Sequence, residues 1–277
     1  MRIVAIALAK NEADIIGESV TEALSWVDDF VIYDNGSTDG TGALAQAAGA
    51  IVLHGPGGEP FDEHLRQHTL DVAAELDPDW IVRIDVDEIY HHDPDPREIL
   101  QQALDEDSFC VRALQLEFWL TLDDMRRGLL LEDERVSVQK RRRWYTCGHM
   151  AMVAWQHRPN LAYYTVELQN HKNVPLDPDG RDVSQIGPVH GQYLVQKHYN
   201  SRSLRQVMYR MQDRIKDLCT FGKYRYNMII DERLCSLHYL GPDEQLCFKD
   251  NHEAVYRWYG ESAQWFNERR EAFGWNR

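Results

Sequence analysis

Four short apolar runs, at residues 3–8, 29–33, 50–53 and 80–84, alternate with stretches whose apolar residues recur at helical spacing. No other pattern in the chain restricts the fold as strongly. Such uninterrupted runs suit strands buried on both faces, and intervening helices supply the crossovers that parallel strands need. The spacing predicts a helix over 13–26, with Ile16, Val20 and Leu24 on one face, and a small-residue helix over 43–48. A third, amphipathic helix carries Phe61, Leu65, Val72 and Leu76. The loops NGSTDGT and GPGGEP punctuate the pattern. The start, MRIVAIALAKNE, mimics a signal peptide in Arg2 and in Ala7-Leu8-Ala9, but its apolar run is as short as such segments come and reads better as the first strand.

The second half is less regular. Strands are expected at 109–118, 136–140 and 163–168, and a loop over 173–191. A helix begins near Ser201, where Leu204, Val207, Met208, Met211, Ile215 and Leu218 follow helical spacing. The last stretch holds Tyr256, Trp258, Tyr259, Trp265, Phe266, Phe273 and Trp275, read as core or as a contact for homo-oligomers. The expected organisation is one catalytic domain over 1–200 and a helical, aromatic-rich extension over 201–277.

Charge and cysteines exclude some functions. With 30 Lys+Arg against 45 Asp+Glu, the net charge of −15 disfavours broad nucleic-acid binding. No apolar stretch is long enough for an integral membrane segment. The five cysteines form no CxxC pair, which points to reduced thiols and a cytoplasmic protein, with peripheral contact at the inner membrane face left open.

The chemistry concentrates where strands end. Asp85-Val86-Asp87-Glu88 follows the fourth run directly. As the chain turns there, two or three carboxylates converge, and converging carboxylates repel unless a hard cation such as Mg²⁺ or Mn²⁺ lies between them. A plain solvated acidic turn is the bland alternative. Asp34-Asn35-Gly36-Ser37-Thr38-Asp39-Gly40 ends the second run; Asp34 there suits a base N–H or a ribose hydroxyl, while Gly36 and Gly40 permit close backbone approach. An ordinary turn would use the same residue types. Lys10-Asn11-Glu12 ends the first run, where a helix start is the competing explanation. His64 and His68 lack a third ligand and read as a surface pair; Lys140-Arg141-Arg142-Arg143 is an anion contact or a solvated strand end.

In order and content, ALAKNEADIIGE, VIYDNGSTDGT and WIVRIDVDE resemble the nucleotide-sugar-binding half of family-2-type glycosyltransferases with the GT-A fold. A later segment, Gln196-Lys197-His198-Tyr199 with Ser201-Arg202-Ser203, is similar to the HY…RS element of a bacterial branch of that group. The resemblance implies an α/β GT-A type, Rossmann-like fold with a mixed central sheet and a helical C-terminal extension. The nucleotide-sugar half would be 1–100 and the acceptor half 101–200. It implies that Ala7 and Glu12 line the nucleotide pocket, that Asp34 recognises the base, and that Asp85 approaches the ribose or the metal. Asp87 would ligate the metal, His198 would complete the metal or diphosphate site, and Arg202 would neutralise phosphate. For the base the sequence offers Glu117 first, then Asp124 and Asp133, with Asp123 and Glu132 beside them.

The function so implied is Mn²⁺- or Mg²⁺-dependent transfer of a sugar, with inversion, from a nucleotide-diphosphate sugar, UDP-linked by default. The acceptor would be a hydroxyl of a glycan, lipid-linked glycan or glycoside. A non-catalytic carbohydrate-binding relative is the alternative. A sugar-phosphate nucleotidyltransferase is disfavoured because no Gly-rich basic loop follows the first strand, and an NAD enzyme because no GxGxxG does.

Overall fold

Strand β1 (Ile3–Ala9) is buried at all of its 7 positions, the signature of a central parallel strand covered on both faces. The computed structural model describes residues 1–57, 63–118, 136–142, 144–163, 174–200, 202–203, 206 and 247–248. They fall into two units, one of residues 1–114 and 150–196, the other of 115–149 and 197–277.

In the first unit β1 is followed by α1 (Ile16–Ala23), β2 (Asp29–Asp34), α2 (Thr41–Ala47) and β3 (Ile51–His54). A 3-10 turn (Glu63–Leu65) runs into α3 (Arg66–Glu75), then come β4 (Trp80–Arg83), β5 (Glu88–Tyr90) and α4 (Pro96–Asp105). Strand β1 pairs in parallel with both β2 and β4, and β2 with β3. Alternate β1 side chains serve two cores. Ile3, Ala5, Ala7 and Ala9 pack with Ile16, Val20 and Ala23 of α1 and with Ile99, Leu100 and Ala103 of α4. Val4 and Ile6 pack with Leu70 and Ala73 of α3. Helix α4 starts at Asp95, whose side chain accepts the Arg97 N–H at 2.9 Å, with Pro96 in the first turn.

Three strands, β6 (Cys110–Phe118), β7 (Trp144–Gln156) and β8 (Val189–His198), each continue from one unit into the other. The sheet runs β3-β2-β1-β4-β7-β6-β8-β5, with the short β9 (Cys247–Phe248) pairing β7. Strand β7 is antiparallel to β4, Trp80 opposing Gln156, so the sheet is mixed as expected. The second unit also contains α5 (Val138–Arg141), and the first contains α6 (Val183–Ile186).

Three local expectations need correction. Residues 136–140, expected as a strand, instead lead into α5, because the Ser137 hydroxyl accepts the Gln139 N–H at 3.2 Å and caps a helical turn. Residues 173–191, read as loop, include α6, fixed by a capping box between Asp182 and Gln185, and the start of β8. The helix expected over 13–26 is confined to Ile16–Ala23 and flanked by turns. The expected helix after Ser201, the C-terminal aromatics and the strand beyond Tyr163 lie outside the described residues.

Candidate functional site

Because β1, β2 and β4 are parallel neighbours, the polar segments that follow them share one edge of the first unit. Open α/β sheets bind ligands at this carboxyl edge.

The segments after β1 and β2 are stapled together. Asn11, held at φ 56°, donates its N–H to Ser37 Oγ at 2.9 Å and accepts the Thr38 N–H at Oδ1 at 2.8 Å. The Glu12 N–H donates to Thr41 Oγ1 at 2.8 Å, and that hydroxyl donates to Asp39 Oδ1 at 2.5 Å. The Ala13 N–H reaches Asp39 Oδ2 at 3.1 Å. The polar letters of NGSTDGT thus serve mainly as a scaffold, which frees neither Asn11 nor Asp39 for a ligand.

Asp34, the last residue of β2, stands within this scaffold and is 6% exposed. Its Oδ1 accepts the Ser37 N–H at 2.9 Å, and His54 Nδ1 lies 3.8 Å from Oδ2. Gly42 leaves room for the carboxylate: a Cβ there would stand 2.5 Å from Asp34 Oδ2. Gly36, at φ 71°, lies so close to Gly57 that a Cβ would meet its Cα at 2.5 Å.

The acidic turn after β4 is held differently. Asp85 accepts from Arg83 Nη1 at 2.7 Å through Oδ2 and from Arg66 Nη2 through Oδ1. Both arginines are almost wholly buried, whereas the Asp85 side chain is 34% exposed. Burial raises the Asp85 pKa, but the Arg83 and Arg66 charges outweigh this against the repulsion of Asp87 and leave it below the usual value. Arg66 arrives from the first turn of α3, which is seated on the same edge: Leu65 packs with Leu8 and Tyr33, and His68 stacks on Tyr33 at 5.0 Å. Behind the turn, buried Glu88 accepts the Asp85 N–H at 2.9 Å and the Gln196 amide at 2.6 Å. Gln196 in turn accepts from Tyr90 Oη at 3.1 Å, and Tyr90, desolvated and beside Glu88, has its pKa raised well above the ordinary value.

The remaining expected residues fall as follows. Asp87 is buried beside Asp85. Glu12 is buried at the start of the turn leading to α1, and its carbonyl accepts from Ile16 at 2.9 Å. Ala7 is wholly buried in the core with α1, so its methyl forms core rather than an accessible pocket wall. In the second unit, Glu117 Oε2 accepts from His198 Nδ1 at 2.8 Å and from Asn200 Nδ2 at 3.0 Å, beside a Phe118–Tyr199 stack. Arg202 is wholly buried and donates to the Tyr199 carbonyl at 3.1 Å. Asp124 and Asp133 lie outside the described residues, as do Asp123 and Glu132. His64 lies in the 3-10 turn while His68 stacks on Tyr33, so the two do not form one helical pair.

Sequence reasoning missed Arg66, Arg83 and the supporting role of Glu88. Arg83 had a signal, a charge inside an otherwise apolar run; Arg66 had none. Among the described residues no three His, Cys, Asp or Glu side chains gather around one point. Two adjacent carboxylates nevertheless fit a Mg²⁺- or Mn²⁺-type ion, which takes one or two protein carboxylates and completes its shell with phosphates and water.

A parallel β3-β2-β1-β4 core with an acidic turn after β4, extended by antiparallel β7, defines a GT-A type, Rossmann-like nucleotide-sugar-binding fold. The chain belongs to the family described as glycosyl transferase family 2, whose model matches residues 5–154. It is 31% identical over 81 residues to a TPR repeat-containing protein of Synechococcus elongatus, covering 29% of this chain and 19% of that protein. It is 34% identical over 92 residues to an uncharacterized glycosyltransferase of Rickettsia felis, covering 31% and 29%. The chain thus spans less than a third of either relative's length. Among solved structures it is similar to glucosyl-3-phosphoglycerate synthase from Mycobacterium tuberculosis in complex with Mn²⁺, UDP-glucose and phosphoglyceric acid. That likeness is 23% identical, with a TM-score of 0.32, and covers 42% of this chain and 44% of that one. No helix among the described residues is long and apolar enough to cross a membrane.

Proposed function

We propose that this chain transfers a sugar from a nucleotide-diphosphate sugar, UDP-linked, to a hydroxyl of a glycan, lipid-linked glycan or glycoside, with inversion. The observation that carries the reading is a pair of prepared carboxylate positions, Asp34 and Asp85-Val86-Asp87, at the carboxyl edge of one parallel sheet.

Asp34 suits recognition of a uracil imide N–H, because Ser37 fixes Oδ1 and so aims Oδ2. Asp85, already neutralised by Arg66 and Arg83, suits a ribose hydroxyl better than a cation. That leaves Asp87 as the main protein ligand for Mn²⁺ or Mg²⁺, with Asp85 beside it. Such an ion, when bound, offsets the negative charge growing on the nucleoside-diphosphate leaving group. In the transfer, the acceptor oxygen forms a bond to the anomeric carbon as the bond from that carbon to the β-phosphate oxygen breaks. The acceptor proton passes to a carboxylate, for which we propose Glu117.

The test is thermal unfolding with UDP, GDP, CDP and dTDP, each with and without Mn²⁺. Stabilisation by UDP that depends on Mn²⁺ and is lost in Asp87→Asn is the expected result. Indifference to all four nucleotides overturns the donor reading.

A further inference from the structure

Arg141 is the last residue of α5 and is 3% exposed. Its Nε and Nη1 are both buried, and neither has a hydrogen-bond partner. Nearby guanidiniums show what a buried structural arginine does in this unit. Arg142, wholly buried, donates through Nε to the Arg202 carbonyl at 3.1 Å, and Arg202 donates to the Tyr199 carbonyl at 3.1 Å. Each places N–H donors on a backbone oxygen, whereas Nε and Nη1 of Arg141 reach none.

Burying two N–H-bearing nitrogens of a guanidinium without partners is costly. The fork geometry of its N–H groups matches two oxygens of a phosphate or carboxylate. Exposed Lys140 and buried Arg142 flank Arg141 in the chain, and their added positive charge favours the more highly charged phosphate. We propose that Arg141 anchors a phosphate group of a ligand, at an oxyanion site in the second unit distinct from the carboxylates described above. The phosphate would come from a nucleoside diphosphate or from a phosphorylated acceptor. The proposal stands without the donor reading, since inorganic pyrophosphate tests it with no nucleotide, sugar or metal.

The experiment titrates the full chain with phosphate and with pyrophosphate, reading heat of binding and the rise in Tm, for wild type, Arg141→Met and Arg141→Lys. Wild type should bind and gain Tm. Arg141→Met should lose both responses while its unliganded Tm stays level or rises, because an apolar side chain has replaced two buried nitrogens without hydrogen-bond partners. A merely structural arginine would give the opposite, a lower unliganded Tm. Arg141→Lys keeps the charge without the fork and should bind at least about tenfold more weakly. Absence of binding by wild type, or its retention in Arg141→Met, overturns the site. Should Arg141→Met fail to fold, wild-type affinity in Arg141→Lys overturns it and weakened affinity supports it. Displacement of pyrophosphate by metal-free UDP identifies the source as the nucleotide. Pyrophosphate binding that persists at saturating UDP identifies an acceptor phosphate. If no nucleotide binds but pyrophosphate does, the donor reading fails while the Arg141 site stands.

Discussion

At one sheet edge the first unit holds two carboxylates by opposite means. Asp34, after β2, is fixed by the N–H of Ser37, three residues away, inside a loop whose other polar side chains staple it to the chain after β1. Asp85, after β4, is fixed by two full positive charges, one of them from Arg66, nineteen residues earlier on α3. A carboxylate steadied by a neutral dipole keeps its charge available to a ligand. One steadied by two guanidiniums has its charge largely spent within the protein. On the proposed function they take different tasks, hydrogen bonding to a base at Asp34 and positioning at Asp85, and they should fail differently when mutated.

The largest difference is expected in stability. Asp85→Ala removes the carboxylate that two buried guanidiniums share and should cost about 3 kcal/mol, below the upper range for buried pairs because Asp85 is partly exposed. Asp34→Ala removes one hydrogen bond to a loop N–H and should cost about 1 kcal/mol. Urea unfolding measures both, and equal losses would break the comparison. Next in size is Gly36→Ala, which forces a Cβ against Gly57 at a positive φ and should cost about 2 kcal/mol. Gly42→Ala sharpens the contrast most. Its Cβ would displace Asp34 Oδ2, yet alanine favours the helix by up to about 1 kcal/mol, so nucleotide affinity should fall with little change in Tm. Unchanged affinity in that variant would show that Asp34 does not read the base.

The same contrast explains what the sequence disclosed. The region around Asp34 is local: strand, loop and helix lie within about twenty residues, and NGSTDGT advertises each turn. Its polar side chains were nevertheless open to misreading as ligand groups, because a staple and a ligand contact call for the same residue types. The region around Asp85 depends on a tertiary approach. Its carboxylates were visible, but Arg66 reaches them only because Leu65 and His68 seat α3 against Leu8 and Tyr33. No periodicity encodes that. Helix α4, by contrast, is encoded locally, by the Asp95-Pro96 start and by Ile99, Leu100 and Ala103 at helical spacing. The segment around Ser137 is too short for its apolar pattern to distinguish strand from helix, and the cap decides for helix.

The smallest expected effect is a pH dependence that only the Asp85 arrangement predicts with a definite sign. Burial lifts its pKa, and Arg83 and Arg66 more than reverse this, so the folded value lies below the usual 3.8. A carboxylate whose pKa is depressed on folding contributes stability above its unfolded value, about 3.9, and loses it as pH falls through the folded value. Asp85→Asn removes this titration while keeping the side chain's shape, and its amide cannot offset the two arginines. The stability gap between wild type and Asp85→Asn should therefore be full near neutrality and narrow as pH drops below about 4. Denaturant unfolding at a few pH values across that window measures the gap. A gap that stayed constant would mean that Arg66 and Arg83 hold Asp85 by shape and hydrogen bonding alone, and that its charge contributes nothing to the fold.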